Sequence, residues 1–127
     1  MTRYLLDATF LIDHLRGAPE VVRRFREMNE SGDESIVTDI TVAELWSGRR
    51  IGAEPEIERF LRYIEYVHPG PDTARLAGEW RAEARAIGRT VGVPDALIAA
   101  TAYHQEAAVL TRDVRDFALM PVRVETY

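Results

Sequence analysis

Four carboxylates stand at points where the pattern of the chain predicts that a strand ends or a helix begins. They are Asp7 in Leu5-Leu6-Asp7-Ala8-Thr9, Glu44 in Thr41-Val42-Ala43-Glu44-Leu45, Asp95 in Pro94-Asp95-Ala96-Leu97, and Asp113 in Leu110-Thr111-Arg112-Asp113. A carboxylate at the end of a core element is rigidly aimed, and several aimed at one point need a cation. Two carboxylates about 6 Å apart at an effective dielectric near ~20 repel by roughly 3 kcal/mol, and four such groups make six pairs. Hard oxygen ligands on rigid supports suit Mg²⁺ or Mn²⁺, with water completing the shell. Such ions bind phosphate oxygens and lower the pKa of a bound water, so the chemistry indicated is phosphodiester hydrolysis by metal-activated water, with one or two ions.

Each acid taken singly also has a structural role open to it. Glu44 follows Thr41 at the capping-box spacing, Asp95 occupies a first helical turn where the dipole favours negative charge, and Asp7 and Asp113 are placed to cap loops. The combination is what favours a metal. Thr9 and Thr111 flank the acids and are placed either to orient a water or phosphate oxygen or to act as ordinary caps. Asp116 either assists Asp113 or begins a turn before Phe117.

The elements that must position these residues follow from apolar spacing. Tyr4 to Asp7 reads as a short buried strand, followed by a helix through Phe10, Leu11 and Leu15 that Gly17 ends. A second helix is predicted from Pro19 to Glu30, and a strand from Ser35 to Thr38. Thr41 begins a helix through Trp46 towards Arg50, and Glu56 to Tyr66 makes another through Ile57, Phe60, Leu61 and Ile64. After the His68-Pro69-Gly70-Pro71 stop, Asp72 to Ile87 forms a long amphipathic helix closed by Gly88. Pro94 starts a buried helix to Tyr103, and Ala107 to Thr111 and Val122 to Glu125 end the chain as strands.

Alternation of strand and helix without a hairpin signal implies an α/β fold, with a central parallel sheet of four to five short strands flanked by helices. In such sheets, ligands bind beyond the carboxyl ends of the strands near a reversal of strand order, and Asp7 and Asp113 lie where that rule points. Residues 1–127 are expected to form one domain.

Composition removes competing chemistries. With no cysteine there is no thiolate zinc site, cysteine nucleophile or disulfide. All 16 basic residues are arginine, so a Walker A loop and Schiff-base catalysis are excluded, and a phosphorylation receiver domain, which normally needs a lysine, loses most of its weight. The first residues lack a signal-peptide apolar core and no stretch has membrane-spanning length, so a soluble, cytoplasmic protein is expected.

Together, Leu5-Leu6-Asp7-Ala8-Thr9, Ile40-Thr41-Val42-Ala43-Glu44-Leu45, Asp95-Ala96-Leu97-Ile98-Ala99-Ala100-Thr101-Ala102 and Leu110-Thr111-Arg112-Asp113-Val114-Arg115-Asp116-Phe117 resemble the PIN-domain ribonucleases, and most closely the VapC toxins. The resemblance runs from Asp7 to Phe117. It implies a PIN-like fold, a homodimer, and an Mg²⁺- or Mn²⁺-dependent endoribonuclease that inhibits translation by cutting tRNA or ribosomal RNA. It also implies a VapB-type antitoxin that occludes the acidic pocket. Carried over by position, Asp7, Glu44, Asp95 and Asp113 are the metal-binding acids, with Thr9 and Thr111 beside them. Many relatives have asparagine where Asp113 stands and rely partly on the acid matching Asp116; this chain has both, with Asp113 expected to be the nearer ligand. Ala8 is a mild departure from the commoner polar or β-branched neighbour.

A net charge of −5 argues against general attraction to nucleic acid. Arg81, Arg85 and Arg89 recur every four residues, which predicts a basic row on one helix face: either a solvated face or a contact for RNA phosphates or for acidic groups of the antitoxin. Arg112 is a further candidate for that contact. His14, His68 and His104 have no ligand-like spacing and are read as surface or packing residues, and Trp46 and Trp80 as core, with a dimer seam open to Trp46. Two other functions compete. A haloacid-dehalogenase-type phosphatase wants a second Asp at the position of Thr9 and a lysine. A non-catalytic PIN-like interaction module would sit better with a neutral residue at one of the four acidic positions.

Overall fold

The computed structural model describes residues 1–127. Five strands, β1 (Arg3–Leu6), β2 (Glu34–Thr38), β3 (Glu65–Val67), β4 (Ala108–Leu110) and β5 (Val124–Glu125), form one sheet in the order β3-β2-β1-β4-β5. Every neighbouring pair is parallel. Six helices surround it: α1 (Ala8–Leu15), α2 (Pro19–Glu30), α3 (Asp39–Ser47), α4 (Glu54–Leu61), α5 (Pro71–Ala86) and α6 (Val93–His104). A short 3-10 helix spans Val114–Phe117. The sheet, its parallel sense and the flanking helices agree with the fold class that the sequence implies.

The period-2 geometry of the strands divides the core into two layers. Leu5, Ile36 and Val109 point to one face, where Ala77, Trp80 and Ala84 of α5 and the apolar side of α6 cover them. Leu6, Val37, Ala108 and Leu110 point to the other, against Phe10 and Leu11 of α1, Val21 and Met28 of α2, Leu45 of α3 and Ile57 of α4. Burial on both faces explains why the central strands read as continuous apolar runs. Helix α6 is lined with alanine, Ala96, Ala99, Ala100 and Ala102 being fully buried, so its backbone can lie close to the sheet.

Several boundaries differ from expectation: α4 starts at Glu54 rather than Glu56, β5 starts at Val124 rather than Val122, and two further differences have identifiable causes. The helix expected over Glu56 to Tyr66 stops at Leu61, and Glu65–Val67 turns into edge strand β3. Ile64 still reaches the core, so its apolar spacing continues while the backbone changes. Helix α3 begins at Asp39 rather than Thr41, because Thr38 is its N-cap. The Thr38 side chain accepts from the Ile40 amide at 3.2 Å, and Thr41 Oγ1 accepts from the Thr38 amide at 3.1 Å. The capping box therefore joins Thr38 to Thr41, and Glu44 has no part in it.

The strand order reverses at β1. Strands β2 and β3 lie to one side and β4 and β5 to the other, and the crevice between the carboxyl ends of β1 and β4 is the point at which α/β sheets bind ligands. No helix is long and apolar enough to cross a membrane.

Candidate active site

Asp7 leaves β1 at that crevice. Its amide donates to the Leu110 carbonyl at 3.0 Å, continuing the β1–β4 ladder one residue past the strand, and the residue is only 6% exposed. It occupies the N-cap position of α1, yet its side chain makes no capping hydrogen bond and is aimed elsewhere. Burial pushes its carboxyl up from the ordinary value, and the charge of Asp113 adds to this. Hydrogen bonds from Thr111, the Ala8 amide and Thr9 oppose the shift.

The two threonines serve Asp7 directly. Thr111 is fully buried; its hydroxyl donates to Asp7 Oδ2 at 2.7 Å and accepts from the Asp113 amide at 2.9 Å. Thr9 Oγ1 lies 3.4 Å from the same carboxylate oxygen and 3.5 Å from Thr111 Oγ1, and it accepts from the Arg112 amide at 3.1 Å. The segment after β4 is in this way fastened to the start of α1 through hydroxyl groups.

Glu44 lies in the second turn of α3 and is partly buried. Its carboxyl is raised by burial and then by the charges of Asp7 and Asp95. Asp95 lies in the first turn of α6, behind Gly92 at the N-cap and Pro94. It is pushed up to about 6, first by burial and then by Asp116, Asp7 and Asp113. Asp113 precedes the 3-10 helix and makes no side-chain cap, while Asp116 lies within that helix; both are exposed.

Asp95 therefore lies within electrostatic reach of Glu44, Asp7, Asp113 and Asp116, and Asp7 within reach of Glu44 and Asp113. The charge that bears most on Asp95 is Asp116, whereas Asp113 is the charge that bears on Asp7.

None of the five forms an ion pair. The arginines pair with Glu27, Glu34, Glu54, Glu65, Glu79, Glu125, Asp13 and Asp72, and His68 lies by Asp39. Excess negative charge is thus left uncompensated at the crevice. The donors are all carboxylate oxygens, hard ligands suited to Mg²⁺ or Mn²⁺. No three of these side chains close into a ready-made coordination shell.

The arginine row does not form as expected. Arg81 is partly buried, and its Nε donates to the Val91 carbonyl at 2.8 Å, bracing α5 against the approach to α6. Arg89 lies beyond the helix, which ends at Ala86; Gly88, at φ +75°, turns the chain away from the helical path. Only Arg85 remains as an exposed basic residue on that face of the helix. Arg112 is engaged by Asp13, its Nη1 lying 2.8 Å from Asp13 Oδ2.

The motifs omit two residues beside Arg112: Asp13, which its guanidinium contacts, and Tyr127, whose hydroxyl donates to Asp13 at 2.9 Å. Asp13 stands four residues after Thr9, a spacing that places both on one helix face. Tyr127 has no signal in the sequence. The histidines and tryptophans take structural positions. His14 stacks on Phe60 at 4.5 Å, His104 Nδ1 lies 2.8 Å from Thr73 Oγ1, and Trp80 is buried in the core. Trp46 packs partly buried beneath the Arg49 guanidinium.

The PIN domain family model matches residues 4–122. Ribonuclease VapC19 of Mycobacterium tuberculosis is 32% identical over 117 residues, which cover 92% of this chain and 94% of that protein. The tRNA(fMet)-specific endonuclease VapC of Salmonella typhimurium is 29% identical, covering 100% of this chain and 99% of the relative. Among solved structures, a DNA-bound VapBC of Salmonella typhimurium superposes with a TM-score of 0.84 at 28% identity, covering 99% of this chain and 98% of that one. The chain belongs to the PIN-domain family and, within it, to the VapC ribonucleases.

Proposed function

We propose that this protein is the toxin of a VapBC-type toxin–antitoxin pair, a metal-dependent endoribonuclease that hydrolyses RNA phosphodiester bonds and so inhibits translation. The observation that carries the reading is the set of five unpaired acids at the reversal point of the sheet. The raised carboxyls of Asp7, Glu44 and Asp95, set among further acids without an arginine, are costly in isolation and are relieved by a divalent cation. Asp7, Glu44, Asp95 and Asp113 would hold Mg²⁺ or Mn²⁺, with Asp116 contributing from the side of Asp95. When bound, such an ion polarises a phosphate oxygen and favours deprotonation of water.

The protein's own groups supply position. Asp7 is held by burial and by the Thr111 hydroxyl, so its carboxylate is fixed before any ligand arrives. Thr9 and Thr111 orient that carboxylate and the Asp113 amide rather than reaching outward. Pre-set geometry of this kind lowers the reorganisation needed at the moment of reaction.

A tRNA or a ribosomal RNA is the substrate class we infer. The relative named a tRNA(fMet)-specific endonuclease supports the former. The VapBC complex among the structural neighbours supports a VapB-type antitoxin as partner; that it covers the acidic pocket, and that the toxin is a homodimer, rest on the resemblance to the VapC toxins. Exposed Arg85 is the remaining basic candidate of its row for RNA or antitoxin contact.

Purified, antitoxin-free protein incubated with structured RNAs tests the reading. Cleavage is expected with Mg²⁺ or Mn²⁺, to stop in chelator and to stop in Asp7→Asn. Full cleavage by Asp7→Asn, or cleavage unaffected by chelation, would contradict the mechanism.

A further inference from the structure

Outside the acid set, Asp13 holds the side chain of Arg112, the residue next to Asp113. It lies on α1, its side chain is only 14% exposed, and one of its oxygens, Oδ2, receives two donors. Arg112 Nη1 reaches it at 2.8 Å and the Tyr127 hydroxyl at 2.9 Å. The Tyr127 ring is itself held edge-on to Phe10, with centroids 5.0 Å apart, and Phe10 is fully buried. Asp13 is therefore aimed by core packing on one side and directs a guanidinium on the other.

Thr9 and Asp13 are one helical turn apart on the same face of α1. Thr9 accepts the backbone amide of Arg112 at 3.1 Å, and Asp13 accepts its side chain. The same helix thus grips one residue twice. That residue stands between Thr111, whose hydroxyl fixes Asp7, and Asp113, whose amide donates to Thr111.

We propose that Asp13 is a positioning residue for the acidic pocket: through Arg112, and steadied by Tyr127, it holds the segment Thr111–Asp113 against α1 and so keeps Asp7 and Asp113 in register. The contribution to cleavage rests on the endonuclease reading above; the clamp itself does not. An exposed ion pair contributes little, and Arg112 is 57% exposed. Asp13 is not exposed, however, and a mostly buried carboxylate that loses its partner is left without compensation, which makes removal of either end felt.

The test compares wild type, Asp13→Asn, Arg112→Gln and Tyr127→Phe by amide hydrogen exchange and by RNA cleavage. Exchange at the Arg112 and Asp113 amides should quicken in Asp13→Asn and Arg112→Gln while Leu5 and Val109 stay protected. The value of kcat should fall about tenfold with KM nearly unchanged, since a misplacement of about 1 Å can cost ~10²-fold. Tyr127→Phe should show the same changes, smaller in size. The double variant Asp13→Asn with Arg112→Gln should be no worse than the poorer single variant, because both remove one contact.

Unchanged exchange at Arg112 and Asp113 in both single variants overturns the proposal, whatever the cleavage result. If wild type cleaves RNA and Asp13→Asn cleaves equally fast, positioning is overturned and the nuclease reading stands. If wild type cleaves no RNA, the nuclease reading falls and the exchange data alone decide the clamp. Should Asp13→Asn fail to fold, Arg112→Gln removes the same contact from its more exposed end and gives the deciding measurement.

Discussion

The Thr111 hydroxyl donates to Asp7 Oδ2 at 2.7 Å across the seam where β4 meets β1, while accepting from the Asp113 amide at 2.9 Å. One buried side chain thereby couples an acid from the start of the chain to an acid from near its end.

Thr111→Val keeps the shape and removes the hydroxyl. It leaves the Asp113 amide and a buried carboxylate oxygen each short of a partner, at a cost of about 1–3 kcal/mol. The bond to Thr111 also lowers the Asp7 pKa, so without it Asp7 should titrate higher still. The expected outcome is a lower unfolding midpoint and an acid limb of the cleavage profile displaced to higher pH. A profile identical to wild type would show that Thr111 serves only packing.

Asp95 gives a pH dependence of definite sign. Its carboxyl rises from 3.8 to about 6 in the folded protein, so between those values the native state holds more protons than the unfolded chain. Stability of metal-free protein from this group is present at the lower end and lost as pH rises through the window. Asp95→Asn should therefore raise Tm relative to wild type at pH ~8 and change it little at pH ~4. Mg²⁺ should raise the wild-type Tm at the higher pH and raise that of the variant much less. Equal Tm differences at both pH values would contradict the assignment.

The two acids near the 3-10 turn are separable by their neighbours. Asp116 is the foremost charge acting on Asp95, and Asp113 is the charge acting on Asp7. Carboxyl titration followed by NMR should show Asp116→Asn lowering the Asp95 midpoint more than Asp113→Asn does. The Asp7 midpoint should respond to Asp113→Asn. The reverse pattern would reassign which acid shares which side of the pocket.

Much of this arrangement was legible in the sequence, for identifiable reasons. Asp7, Glu44, Asp95 and Asp113 stand beside apolar runs with clear periodicity, so the type and order of the elements around them are legible even where a boundary, as at α3, is not. Strand β3 was hidden because Ile64 prolongs the helical spacing of Ile57, Phe60 and Leu61, while edge residues Glu65 and Tyr66 are exposed and give no strand alternation. The cap of α3 lies three residues before the expected Thr41 because Thr38 and Thr41 both suit the role, and only backbone geometry distinguishes them. Asp13 and Tyr127 meet across most of the chain's length, a contact no local pattern encodes.

The arginines of α5 should divide by stability and function. Arg81 donates to the Val91 carbonyl, so Arg81→Ala should lower stability by about 0.5–1.5 kcal/mol in denaturant titration, the usual net value of such a bond. Arg85 is exposed, and Arg85→Glu should leave stability unchanged while weakening RNA cleavage or antitoxin affinity. Arg85→Glu with both functions intact would remove this face of α5 from the contact surface.

His14 sets a pH dependence opposite in sign to that of Asp95. Its ring stacks on Phe60 at 4.5 Å, meets Phe25 edge-on at 5.0 Å, and leaves Nδ1 buried without a partner. Burial lowers its pKa below 6.5, so the unfolded chain takes up the proton first as pH falls. The packing is fully effective above that value and weakens as pH falls below it, in contrast to the loss with rising pH at the acid cluster. His14→Phe preserves an aromatic ring against Phe60 and removes the titration. The Tm difference, variant minus wild type, should therefore be more positive at pH ~5 than at pH ~8. A difference independent of pH would mean that the imidazole is protonated as readily in the fold as in the unfolded chain, and the aromatic cluster between α1, α2 and α4 would not be the apolar environment that its geometry indicates.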